Sequence, residues 1–268
     1  MYISQLLTNL FLLLPGSIRY NHYNQFSCIN HLRQRLASYG GNNENVYCVE
    51  PELTDRNTPC VLFFTGGSAA MTPKIYENLL MRVVQNNIVV CAPPFRYERV
   101  GSLIDKLSEK YREVIIGGHS SGCTVALNNC HHPKVRKLVM MDPVNTRISN
   151  LTERYNITNI DSLLFINAMK SYNVTQDPFG LPFIPFLRIT GDSLITRDTC
   201  NTTHIDFHEH GHCDVLNPFY ANFMHFTRIA VGNRMRSHEM FKKYHESIAE
   251  ALGNFIKRNG SGLVRNRA

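Results

Sequence analysis

Two short stretches of the chain bring chemically capable side chains together. Residues 117 to 122 read GGHSSG and satisfy G-x-S-x-G, the spacing that exposes a serine hydroxyl on a tight turn between a strand and a helix. Residues 208 to 212 read HEHGH and satisfy H-E-x-x-H, which holds zinc when a helix sets both histidines on one face. The two patterns imply different reactions, so the elements that carry them must decide.

The serine pattern has the flanks it needs. EVIIGG (113–118) reads as a strand, and Ser121 to Cys130 suits a helix stopped by His131, His132 and Pro133. Gly118 and Gly122 remove side chains where the turn brings backbones together. Ser120 is the expected nucleophile, and the Ser121 amide would face an oxyanion from the helix N-terminus. A second donor is expected from the turn TGGS after CVLFF (60–64), at Gly67, with Ser68 as the alternative.

The zinc pattern lacks its helix. Gly211 is unfavourable inside one, and Asn217-Pro218 follows closely. A looser metal site built from these histidines, with His204 or Asp214 as a third ligand, is a weaker alternative. The site is therefore expected to hold no metal and no cofactor. Gly211 suits a loop that lets the His212 ring drop toward Ser120, with Asp214 capping or orienting that loop. His204, His208 and His210 lie in the same region, and spacing gives His212 only a modest edge.

A serine hydroxyl needs a base, and the base a carboxylate to orient it. Asp142, Asp192, Asp198 and Asp206 fit the chain order of serine, acid, histidine. Asp142 ends the apolar run VRKLVMM, beside the crevice where open α/β sheets bind ligands. Asp192 also ends a strand-like run and is its competitor. Asp198 and Asp206 lie deeper in a loop-like stretch.

These residues sit in an alternating frame. CVLFF, NIVVCAP (87–93), EVIIGG and VRKLVMMD (135–142) are apolar runs. Between them, 72–85, 100–111 and 121–130 have helical periodicity. Continuous apolar strands separated by helices imply an α/β class, with a mostly parallel sheet covered on both faces. Residues 29–37 read as a short helix within a polar N-terminal segment, 1–57. Residues 143–180 read as an excursion, with Leu163, Leu164, Phe165, Phe179 and Phe183 lining either a pocket or the core. A strand is expected at 182–191, a loop over 192–220, and a closing helix over 237–258 capped by Ser237. The expected domain spans 58–258, with 259–268 a tail.

Composition fits a globular chain: 268 residues, 43% hydrophobic, 18% charged, formal net charge +7. The basic residues form no stripe with interleaved aromatics, so no nucleic-acid partner is expected. The segment LLTNLFLLLPG (6–16) is too short to span a bilayer as a helix and lacks a basic lead, so a buried or interfacial first helix is expected. That favours a cytoplasmic chain. The N-x-[ST] sequons at Asn150, Asn156, Asn173, Asn201 and Asn259 keep secretion as the alternative. In an oxidising compartment Cys200 and Cys213 could pair.

VLFFTGGS, IVVCAP, GGHSSG, LVMMDPVN and HGHCDVLNP together resemble the α/β-hydrolase superfamily, its chlorophyllase branch in particular and platelet-activating-factor acetylhydrolases more distantly. The resemblance runs from about residue 58 to 258. It implies an α/β-hydrolase fold, Asp142 as the triad acid and His212 as the base. It also implies a carboxylester hydrolase acting on a small hydrophobic ester such as chlorophyll, with transient contact to a lipid surface. A lipase or acetylhydrolase-type lipid esterase is the nearer alternative, and a non-catalytic binding protein on the same scaffold the further one. The chain departs from the branch at three places. Ser121, Gly122 and Cys123 stand where Arg and two glycines are usual, Asn145 where a second acid is usual, and Thr65 where His is usual. These departures bear on the substrate more than on the hydrolytic machinery.

Overall fold

The computed structural model describes residues 32–38, 45–66, 72–94, 97–143, 155–172, 200–226 and 235–258. Its strands are β1 Leu32–Ser38, β2 Asn45–Pro51, β3 Cys60–Phe64, β4 Val89–Ala92, β5 Val114–His119, β6 Val135–Met141, β7 Ser162–Ala168 and β8 Asn201–Phe207. They form one eight-stranded sheet in the order β1-β2-β4-β3-β5-β6-β7-β8. β1 and β2 pair antiparallel, as do β2 and β4. All pairs from β4 through β3 to β8 are parallel.

The helices are α1 Glu77–Val84, entered through a 3-10 turn at Pro73–Tyr76, then α2 Val100–Lys110, α3 Gly122–Asn129, α4 Pro218–Phe226 and α5 His238–Lys257. Alternation along each strand sends neighbouring side chains to opposite faces. Val61 and Phe63 of β3 pack with Leu79 and Leu80 of α1 and with Phe241, Ile248 and Leu252 of α5. Cys60, Leu62 and Phe64 pack on the other face with Leu103 and Leu107 of α2 and with Ala126 and Leu127 of α3. Both faces are covered, so central strands such as CVLFF are apolar at every position.

α5 closes the first of these cores. Ser237 caps it, accepting a hydrogen bond from the Met240 amide at 3.3 Å. Phe241, Tyr244, Ile248, Leu252 and Phe255 form its buried stripe, while Met240 is 43% exposed and stands outside it. Full burial of each large apolar side chain contributes about 1.5–3 kcal/mol. Among the described residues no helix is long and apolar enough to cross a membrane.

Three expectations are corrected here. Residues 32–38 are not helical: they pair along their whole length with β2, from Leu32 opposite Pro51 to Ser38 opposite Asn45. The helix-like spacing of Leu32 and Leu36 yields to a ladder with an apolar partner strand. SLLFINA lies within the expected excursion but is strand β7, with Leu163, Leu164 and Phe165 fully buried. These residues are core, not pocket lining. NTTHIDF was expected to be loop but is strand β8, its polar side chains set outward on the last strand of the order. The residue 182–191 strand, Phe179, Phe183 and the apolar segment 6–16 lie outside the described residues.

Candidate active site

Ser120 follows β5 directly and precedes α3. Its φ is 55°, a left-handed conformation that costs a non-glycine residue about 1–2 kcal/mol. Close packing holds it there. A Cβ on Gly122 would lie 2.2 Å from the Phe64 carbonyl oxygen, and one on Gly118 would lie 2.4 Å from Gly122. No larger residue fits at either place without moving backbone. The Ser120 amide donates to the Met141 carbonyl at 3.0 Å, tying the turn to the end of β6. Ser121 is the N-cap of α3.

Asp142 follows β6 in the same way. Its φ is 45°, and its amide donates to the Ile166 carbonyl of β7 at 2.8 Å. The carboxylate is 2% exposed. Its Oδ1 accepts from the Ala168 amide at 3.2 Å, which leaves Oδ2 to meet His212 Nδ1 in a short hydrogen bond. His212 Nε2 lies 2.9 Å from Ser120 Oγ. Ser120, His212 and Asp142 thus stand in one line of hydrogen bonds at the carboxyl ends of β5 and β6.

The letters H-E-x-x-H do not sit on a helix. β8 ends at Phe207, and His208 to His212 run through turns and irregular chain. His208 is exposed. His204 stacks on Phe165 with ring centroids 4.9 Å apart. His210 stacks on Tyr244 at 3.8 Å and 4°. Asp206 accepts from Asn167 Nδ2 at 2.7 Å. Of the histidines weighed from the sequence, only His212 bonds to Ser120, and of the acids weighed that are described, only Asp142 bonds to His212. Asp192, Asp198, Gly67 and Ser68 lie outside the described residues. No disulfide joins Cys200 and Cys213: Cys200 Sγ is 3.3 Å from Thr202 Oγ1, and Cys213 is buried.

The turn that presents His212 is braced from beneath. Asp214 is fully buried, and its Oδ2 accepts from the Gly211 amide at 3.0 Å and from Arg236 Nε at 2.7 Å. Arg236 also donates to the Glu209 carbonyl. His245 Nε2 donates to the Asp214 carbonyl at 3.0 Å. An orienting role for Asp214 is readable in GHCD, but Arg236 carries no local signal, because it reaches the turn from just before α5. Tyr76 and His119 are equally unannounced, since their value depends on what the fold packs against them.

Two of these histidines are kept neutral by burial. His119, with His212 beside it, is lowered to about 3, and His245 is lowered to about 4. The unfolded chain binds protons at both near pH 6.5. Between pH 4 and 6.5 the unfolded state therefore holds more protons than the folded one, and stability rises with pH. Each histidine contributes a slope of at most about 1.4 kcal/mol per pH unit. Urea unfolding is expected to show the midpoint falling as pH drops from 7 toward 4.5, and His245→Gln is expected to flatten that fall. A pH-independent midpoint would contradict the burial of both rings as neutral groups.

No protein-family model matches the chain, and no curated protein sequence matches it. Its structure is similar to solved esterases. One from Pyrobaculum calidifontis is 12% identical, with 95% of this chain and 93% of that one covered at a TM-score of 0.56. One from Rhizomucor miehei is 12% identical, with 85% of each chain covered at 0.55. A thermostable one from Pseudomonas putida is 12% identical, with 85% of this chain and 84% of that one covered at 0.53. Identity at this level speaks for the fold. Together with the parallel sheet and the helices on its two faces, it establishes that this chain has the α/β-hydrolase fold.

Proposed function

We propose that the protein is a serine carboxylester hydrolase. The observation that carries this reading is the hydrogen-bonded line from Ser120 Oγ through His212 to Asp142, with Ser120 in a left-handed turn at a helix N-terminus. His212 Nε2 takes the hydroxyl proton as Ser120 Oγ attacks the ester carbonyl carbon. Asp142 holds the His212 tautomer and stabilises the imidazolium that forms. The oxyanion is received by the Ser121 amide and by the amide of Gly67, one residue beyond the described turn at Gly66. His212 then protonates the departing alcohol. Water, deprotonated by the same base, releases the acid and restores Ser120.

The substrate we propose is a hydrophobic ester of the phytyl or lipid kind. With Leu163, Leu164 and Phe165 in the core, this rests on the likeness of LVMMDPVN and HGHCDVLNP to chlorophyllases. A transient contact with a lipid surface and a cytoplasmic location belong to the same proposal. An ester panel tests it: short and long p-nitrophenyl esters, a platelet-activating-factor analogue and chlorophyll. The expected result is kcat/KM at least about tenfold higher for the esters with long apolar groups, because each buried methylene is worth about 0.8 kcal/mol. Preference for acetyl esters of small alcohols would overturn the hydrophobic-ester reading and leave the hydrolase standing.

A further inference from the structure

Tyr76, His119 and Gly66 form a buried chain of hydrogen bonds that the reaction above does not use. His119 is the residue between Gly118 and Ser120. Its Nε2 lies 2.9 Å from the His212 carbonyl oxygen, and its Nδ1 lies 2.8 Å from the Tyr76 hydroxyl oxygen. That hydroxyl also accepts from the Gly66 amide at 3.1 Å.

The chemistry of the partners places every proton. A carbonyl oxygen only accepts, so Nε2 carries the hydrogen and donates to His212. Burial keeps the ring neutral, so Nδ1 is the acceptor. Burial also drives the Tyr76 phenol well above its usual range, so it stays protonated and donates to Nδ1. Its oxygen is then free to receive the Gly66 N–H. Each donor has one acceptor, and the chain runs in a single direction from Gly66 to His212.

The ends of this chain matter more than its middle. Gly66 is the second residue after β3, next to the oxyanion donor proposed at Gly67. It packs so tightly that a Cβ there would lie 2.7 Å from Ser120 Cβ and 2.7 Å from the His119 carbonyl oxygen. At the other end is the backbone of the base itself. Ring contacts stiffen the span: Phe63 meets Tyr76 at 5.3 Å, Tyr76 meets His119 at 5.6 Å, and His119 meets His212 at 4.6 Å.

We propose that Tyr76 and His119 are positioning residues that lock the oxyanion turn and the His212 backbone to one another around Ser120. The two halves of the machinery come from distant parts of the chain, and this relay sets the spacing between them. The inference rests on the reading of Ser120, His212 and Asp142 as the catalytic line.

Tyr76→Phe removes one oxygen and keeps the ring. It is expected to lower kcat per phosphonate-titrated site about 10- to 100-fold, because small misplacements at a reacting centre cost that much, with KM within about twofold. His119→Gln keeps an N–H able to reach the His212 carbonyl and is expected to retain more kcat than His119→Leu. A merely structural role would lower the melting temperature and the titratable fraction but leave kcat per titrated site unchanged in all three variants. Nitrogen-15 NMR of the wild-type imidazoles reads the relay without turnover, and the expected His119 tautomer carries its proton on Nε2. Wild-type kcat per site in Tyr76→Phe, or a His119 proton on Nδ1, would overturn the proposal. Wild-type protein that neither turns over esters nor reacts with the phosphonate would instead overturn the Ser120 reading, and the relay's catalytic role with it.

Discussion

Ser120→Ala is expected to lower kcat/KM for a short p-nitrophenyl ester by at least about 10⁴-fold, the scale on which removal of a serine nucleophile acts. The reason is specific to this site. His212 Nε2 is 2.9 Å from Ser120 Oγ, so deleting the hydroxyl leaves the base facing no nucleophile but adventitious water. The fold should survive. Alanine loses only the hydroxyl, and the Ser120 amide keeps its hydrogen bond to Met141. A melting temperature close to wild type, with turnover gone, is the expected pair of results. Residual activity above about 1% would mean that another group attacks the ester.

Asp142→Asn is expected to lower kcat by about 10⁴-fold with the backbone intact, the loss seen when an orienting carboxylate becomes an amide. The neighbours decide which way the new amide points. The Ala168 N–H donates to Oδ1, so it will hold the amide oxygen at that position and turn the NH2 toward His212. An NH2 donates, so Nδ1 must accept, and the proton moves to Nε2. That tautomer cannot take the proton of Ser120. Activity should return in part at high pH, where hydroxide can substitute for the missing base. The pH–rate profile of the variant against wild type checks this, and an unchanged profile with near-normal kcat would remove Asp142 from the line.

The fold was legible where burial is continuous. The strands β3 to β6 lie between two helical layers: β3 and β4 are apolar at every position, and β5 and β6 along most of their length. β7 and β8 were hidden for opposite reasons. SLLFINA is as apolar as its neighbours but follows a polar stretch that breaks the alternation, so its core residues could be read as core or as pocket lining. NTTHIDF is the last strand of the order, and its exposed residues are polar, so it has the composition of a loop. β1 was hidden by helix-like leucine spacing that its pairing with β2 overrides.

The candidate site was legible wherever the chain itself makes the turn. GGHSSG, MMD and HGHC each place a candidate side chain at a strand end or on a glycine-bearing loop. Asp142 is favoured over Asp192 because it closes the strand that directly follows the serine unit, and the likeness of LVMMDPVN to a known family adds to that choice. What could not be read were the residues that act from elsewhere. Arg236 is 22 residues from Asp214, and Tyr76 is 43 residues from His119. Neither spacing has a pattern, since each contact exists only once the sheet has brought the parts together.

Every step of the proposed reaction requires Ser120 to be an activated nucleophile. Incubation of the wild-type chain with a fluorophosphonate, followed by peptide mass spectrometry, tests it most directly. One phosphonyl adduct per chain is expected, carried by the peptide that contains Ser120, absent in Ser120→Ala and strongly slowed in Asp142→Asn. A chain that stays unmodified, or one modified equally well after Ser120 is replaced, would contradict it.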